Sequence, residues 1–281
     1  MRELFFRSLK PWSQLWFLLL FCMISLSLFL SLGSSLVTSL FGFNLVENPG
    51  ILNDFKQPYV VDAHKVLLLM QHIGVFILPA LLFNQIFSLR KSSFIFWGER
   101  PVLNRLLLVV GLMLLALPVI NYLLALNSRM SLPPFLHDME QQIRAMENEA
   151  SVYTEYLIGS GGSGALLVNL FIMAIVPAIG EEFFFRGILQ KLAARISGNL
   201  HLSIWVTAAV FSAIHMQFYG FLPRMLLGAL FGYLSVWMGS IWYAVLAHFI
   251  NNAVSLLLAW SINQKMIPVE VDQVPSLTGY L

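Results

Sequence analysis

Three short stretches of this sequence bring chemically active side chains into otherwise apolar surroundings. They are Gly180-Glu181-Glu182-Phe183-Phe184-Phe185-Arg186-Gly187, Phe211-Ser212-Ala213-Ile214-His215 and His248-Phe249-Ile250-Asn251-Asn252. Carboxylates and imidazoles exchange protons with a reacting group, and an amide can donate hydrogen bonds to an oxyanion. Grouped together, such side chains allow two chemistries. In one, Glu181, His215 and His248 bind a divalent metal, zinc for example, and leave a position open for water. In the other no metal is needed: Glu181 with His215 activates water as general base, and His248 with Asn252 donates to the developing oxyanion. Both end in hydrolysis of a carbonyl compound, most simply a peptide bond, and the residues alone leave both open.

Helical spacing assigns further roles. Glu182 and Arg186 stand four apart with the acid first, the favourable arrangement for an ion pair along a helix. They are expected to neutralise one another as a structural pair near the cytoplasmic border. Glu181 is rotated about 100° from Glu182, which makes it the free carboxylate. His248 and Asn252 share a helix face, with Asn251 turned off it.

These clusters need elements that hold them in an apolar medium, and the composition supplies that medium. Of 281 residues, 58% are hydrophobic and 11% charged, with a mean hydropathy of +0.79. Soluble domains carry about 25% charged residues, so the chain is read as an all-α, polytopic membrane bundle. A single cysteine, Cys22, excludes a disulfide framework and a zinc site of paired cysteines. The net charge of +2, without a dense basic stretch, gives no sign of nucleic-acid binding. Charge-free runs of the length a membrane helix needs, about 20 residues, predict seven spans, or eight at most. They fall near 15–40, 65–88, 104–127, 164–190, 201–218, 223–238 and 241–262, the last two dividing at Met238-Gly239-Ser240. The first is far longer than the apolar region of a signal peptide and is read as a retained helix.

Ionisable groups inside a span cost about 2.5–3.5 kcal/mol each on insertion scales, which marks the three clusters as functional suspects. Counted from the expected helix ends, Glu181, His215 and His248 lie about 10–21 Å below the inner surface. They can therefore meet in the inner half of the bilayer, within reach of cytosolic water. Basic residues set the orientation: a cytoplasmic N-terminus puts Arg2, Arg7, Lys10, Arg90, Lys91, Arg100, Arg105, Arg186, Lys191 and Arg195 inside. The acidic loop 128–163, with Asp138, Glu140, Glu147, Glu149 and Glu155, is then extracytoplasmic. It is expected to carry a short surface helix and to end in the flexible segment Gly159-Ser-Gly-Gly-Ser-Gly164.

The three clusters resemble the signature of the CPBP family of intramembrane proteases, which includes type II CAAX prenyl endopeptidases and relatives linked to bacteriocin processing or immunity. The family pattern EExxxR, FxxxH and HxxxN (or HxxxD) on successive membrane helices is met here by Glu181-Glu182 with Arg186, Phe211 with His215, and His248 with Asn252. The resemblance covers about 165–257. It implies a helical membrane endopeptidase with Glu181 and His215 as the water-activating pair and His248 and Asn252 as oxyanion groups, supported by Glu182, Arg186 and Phe211. Zinc or another divalent metal on Glu181, His215 and His248 is the alternative within the family, and Asn252 favours the version without metal. The domain plan that follows is an N-terminal three-helix region, 1–130, an extracytoplasmic loop, 131–163, a CPBP-like catalytic core, 164–262, and a tail, 263–281. The expected partners are membrane lipids and a membrane-associated peptide or protein substrate, and the expected location is a bacterial cytoplasmic membrane.

The remaining polar residues are read more plainly. His64, His72, His137 and His201 receive no role, and Asn121 and Asn169 are expected to form interhelical hydrogen bonds. Phe183 to Phe185 are expected to face lipid or pack, and Phe211 to wall the cavity. Pro118, Pro177 and Pro223 are expected to kink or start helices, with Pro177 widening its helix next to Glu181. The rival class is a non-catalytic membrane protein: an immunity or scaffold protein that has kept the fold, or a small transporter relaying protons through Glu181. A scaffold is expected to lose a signature residue and a transporter to show inverted repeats; neither is seen.

Overall fold

The computed structural model describes residues 8–55, 57–88, 95, 100–159 and 163–267. The Gly/Ser segment at 160–162, most of the tail, and Arg2, Arg7, Arg90 and Lys91 lie outside the described residues. All regular structure within the described residues is helical. Helix α1 is Pro11–Phe41. Helix α2 runs from Pro58–His72 through a π-helical segment Ile73–Ile77 to Leu78–Phe87. Next come α3, Leu103–Ser128, and α4, His137–Gly159. Helix α5 comprises Ser163–Asn169, a π segment Leu170–Ile175, Val176–Glu182, a second π segment Phe183–Leu189, and Gln190–Ser197. Helices α6, Leu200–Ala213, α7, Phe221–Trp237, and α8, Ile241–Asn263, complete the set.

Helices α1, α2, α3, α5 and α8 are long and apolar enough to cross a membrane, and α6 and α7 are shorter apolar helices. At about 1.5 Å per residue, α6 and α7 reach about 21 and 26 Å, less than the roughly 30 Å of a hydrocarbon core. Their connection runs from 214 to 220. It is held by α4: Tyr219 donates its backbone N–H to Glu147 at 3.0 Å and its hydroxyl to Glu140 at 3.0 Å. Asn127 at the end of α3 donates to the Phe218 carbonyl. The expected short surface helix is thus a 23-residue element whose buried end, Leu157 and Ile158, packs with Val61, Ile172, Met173 and Leu256.

Local chemistry explains the boundaries. Proline occupies the first turn of α1 and of α2, where a missing N–H costs no bond. Asn199 caps α6 by accepting from the Leu202 N–H at 3.0 Å. The long apolar run divides at Gly239, whose φ of +66° is the left-handed turn that glycine adopts without strain. In α5, Pro177 lacks the N–H that would bond the preceding turn, and the π segment Leu170–Ile175 lies immediately before it. Glu181 itself lies in the regular α-helical segment Val176–Glu182 that follows, so the widening expected beside it falls earlier, at Leu170–Ile175.

Helix α5 is the axis of the bundle, in contact with α2, α6, α7 and α8. The three consecutive phenylalanines of α5 do not face lipid. Phe183, Phe184 and Phe185 are buried and form, with Phe76, Phe83, Phe87 and Phe211, an aromatic core shared by α1, α2, α5 and α6. Gly180 lets α2 approach: a Cβ there would lie 2.8 Å from Ile77 Cγ1. Helix α5 also runs on to Ser197 rather than ending near 190, so Glu181 sits sixteen residues from that end, about 24 Å along the axis. The depth expected from sequence is corrected accordingly.

Candidate functional site

The 100° step between adjacent helical residues sends Glu181 and Glu182 to different neighbours. Glu182 Oε1 accepts from Arg186 Nη1 at 2.9 Å and from His248 Nδ1 at 2.8 Å. The second contact was not legible in sequence: Glu182 is a junction between α5 and α8 as well as the partner of Arg186. Arg186 donates its other nitrogen, Nη2, to the Gly228 carbonyl of α7 at 2.8 Å, and its guanidinium lies 4.7 Å from the centre of the Phe211 ring. Both charged side chains of this pair are fully buried. Phe231 stacks on His248 at 5.1 Å, and Phe211 meets His215 and His248 edge to face. Phe211 therefore locks the guanidinium and both imidazoles in place.

Glu181 is not the isolated carboxylate that the spacing suggested. Its Oε1 lies 3.6 Å from Nε2 of His72 in α2, within ion-pair range, whereas its buried Oε2 has no hydrogen-bond partner among the described residues. A cavity of about 30 Å³ opens beside it, lined by Glu181, His215, His248, Asn251, Asn252 and Arg224 among others. That volume holds one or two waters.

Hydrogen bonds fix what the two imidazoles present. His215 Nδ1 lies 2.7 Å from the Phe211 carbonyl oxygen, which can only accept, so Nδ1 carries the proton and Nε2 remains for other work. His248 Nδ1 is directed to a carboxylate, so its Nε2 is likewise left uncommitted by that bond. This arrangement, a ring nitrogen tied to an acceptor to set the orientation of the other, is common where imidazoles act on a reacting group. Asn251 is not turned away: it lines the same cavity and donates to Asn252 Oδ1 at 3.2 Å. Arg224, at the start of α7, brings a cation to the wall and donates to Gln217.

The donor set for a metal was Glu181, His215 and His248. Among the described residues, no three His, Cys, Asp or Glu side chains are grouped to hold an ion. The residues as arranged do not fit a three-ligand site, and no chemical step is routed through one.

Residues 163–254 match the model of a family described as type II CAAX prenyl endopeptidase Rce1-like. That stretch holds α5 to α8 up to two residues past Asn252, with every cavity-lining residue named above, whereas His72, which meets Glu181, lies outside it. The match covers about a third of the chain and is a likeness to that family. A stretch of 90 residues, 31% of the chain, is 27% identical to the uncharacterized protein YpbD of Bacillus subtilis, and it covers 43% of that relative. The chain thus aligns with less than half the length of YpbD. No solved structure matches it.

Two residues at the site carry no sequence motif. His72 lies within an uncharged run, 66–89, where any ionisable group is suspect; that signal was present, but no spacing tied it to Glu181, 109 residues later in the chain. Arg224 stands between two charge-free runs, 196–223 and 225–264, a position that in sequence reads as a helix boundary.

Proposed function

We propose that this protein is an intramembrane endopeptidase that hydrolyses a peptide bond in a membrane-associated protein or peptide. The observation that carries the proposal is the buried, unpaired Oε2 of Glu181 beside a water-sized cavity that His215, His248 and Asn252 also line. An unpaired carboxylate oxygen in an apolar medium is costly, and such groups mark functional sites. In the proposed reaction Glu181 takes a proton from water, with His215 Nε2 orienting the oxygen. The new C–O bond forms as the carbonyl oxygen becomes an anion. Asn252 and a protonated Nε2 of His248 donate to that anion, and Glu182 on Nδ1 balances the imidazolium charge. The proton held by Glu181 then passes to the amine as the C–N bond breaks. General-base catalysis of this kind is worth about 10²–10⁴-fold in rate. The Rce1-like match supports the reaction class, and the substrate class is proposed from the apolar surroundings of the cavity.

From the distribution of basic residues we also propose that the N-terminus is cytoplasmic and α4 extracytoplasmic. The α6–α7 connection, with His215, then lies on the α4 side of the bundle.

The deciding experiment incubates purified protein in detergent with a peptide library and reads new termini by mass spectrometry. Cleavage by wild type that is lost in Glu181→Gln, with the fold retained, supports the reading. An unaltered product pattern with the variant, or no cleavage by wild type, rejects it.

A further inference from the structure

The Rce1-like stretch does not contain every group that touches its central carboxylate. His72 reaches Glu181 from α2, ninety-one residues before that stretch begins. The geometry of the ring is informative. Its Nδ1 lies 3.0 Å from the Leu68 carbonyl oxygen, so Nδ1 carries a proton and donates it there. Nε2 is then the atom that faces Glu181 Oε1 at 3.6 Å. A bare imidazole nitrogen and a carboxylate oxygen are both acceptors and repel at this distance. A proton on Nε2 makes the contact an ion pair, longer than a hydrogen bond.

The support around His72 is rigid. It stands at the entry to the π segment Ile73–Ile77, which packs against both α1 and α5. Ile77 of that segment fills the space left by Gly180, the residue before Glu181. Phe76 lies 5.8 Å from the imidazole ring and also contacts Phe184 and Phe185 of α5. The charged and titratable groups near the pair are His215 beyond α6, His248 on α8, and Glu182 and Arg186 on α5. Of these, His248 and Arg186 are bonded to Glu182, and His215 has Nδ1 on a backbone carbonyl.

We propose that His72 is a positioning residue for Glu181: by holding Oε1 at ion-pair distance, it fixes the carboxylate so that Oε2 is the oxygen left for water. The three N-terminal helices thereby gain a function, since α2 completes a site that the Rce1-like stretch builds only in part. The effect on rate rests on the endopeptidase reading; the pairing itself does not.

The test has two arms. In the first, protein with ¹⁵N-labelled histidine is compared as wild type, His72→Gln and Glu181→Gln in detergent micelles. The histidine signal missing from His72→Gln should be the one that Glu181→Gln displaces most; a His72 signal indifferent to Glu181→Gln overturns the proposal whether or not the protein cleaves peptides. In the second arm, His72→Gln and His72→Leu are assayed on the peptides found above. Glutamine keeps a donor near the position of Nε2 and leucine does not. His72→Leu should lower kcat by about 10–100-fold, the loss typical when an orienting partner is removed, with KM unchanged and His72→Gln recovering most of the rate. Equal losses in both variants, or a change in KM alone, overturn the positioning role. Absence of cleavage by wild type condemns the endopeptidase reading, while the first arm still decides the pairing.

Discussion

Replacing Glu182 by glutamine tests whether the Glu182 junction is as strained by charge burial as its geometry implies. Its Oε1 receives Arg186 at 2.9 Å and His248 at 2.8 Å, and the side chains of Glu182 and Arg186 are 0% exposed. Removing one partner of a buried ion pair costs about 3–5 kcal/mol, because the other charge is left without compensation. Glutamine retains one acceptor oxygen, and Arg186 keeps its bond to the Gly228 carbonyl, so the lower end, about 3 kcal/mol, applies. At about 1.4 kcal/mol per decade, this is roughly a hundredfold rise in the unfolding equilibrium constant. The assay is equilibrium unfolding in mixed micelles followed by tryptophan fluorescence. A double variant, Glu182→Leu with Arg186→Met, sharpens the test, because replacing both partners of a buried pair by apolar groups is often neutral or stabilising. It should recover most of the stability yet remain impaired in cleavage, since His248 loses the acceptor that orients its ring. A cost for Glu182→Gln below about 1 kcal/mol, the range of an exposed pair, would refute the reasoning. So would a double variant no more stable than Glu182→Gln.

Acid should loosen the tie between α4 and the α6–α7 connection. Glu140 accepts from Arg144, from the Leu132 N–H and from the Tyr219 hydroxyl, with Arg144 the main cause that holds its carboxyl below the ordinary value of 4.5. A depressed folded-state value means that this contribution is complete above the unfolded value and is lost only as pH falls through the lower folded one. Hydrogen exchange around Tyr219, corrected for its intrinsic pH dependence, should therefore keep its protection in mildly acidic buffer and lose it in stronger acid; the same loss in Glu140→Gln would dismiss Glu140 as the cause. For orientation, Glu149→Cys in a Cys22→Ser background should react with an impermeant thiol reagent on intact cells, because Glu149 is exposed on α4; protection of that site would reverse the proposed topology.

The class of fold was determined by composition and by distances between charges. A chain with 58% hydrophobic residues cannot cover a soluble surface, and runs without charge locate helices because backbone groups in lipid must bond within their own segment. The division at Gly239 was legible for the same local reason, a glycine between two apolar helices. The pair Glu182 and Arg186 was legible as well, since residues four apart meet on any helix. Three matters were decided only by packing. Where a helix ends, as α6 does before the α6–α7 connection, depends on what holds it, here the bonds that Tyr219 donates to Glu147 and Glu140 on α4. The partner of each carboxylate also depends on packing: one helical step sends Glu182 to His248 and Glu181 to His72, and nothing in a linear spacing says which helix stands in either direction. Finally, Asn251 shares the cavity with Asn252 although they are neighbours in sequence, because a side chain's environment is set by the walls around the helix as well as by its angle on it. Local periodicity is a property of one segment, whereas a site made from five segments exists only once close packing has chosen their neighbours.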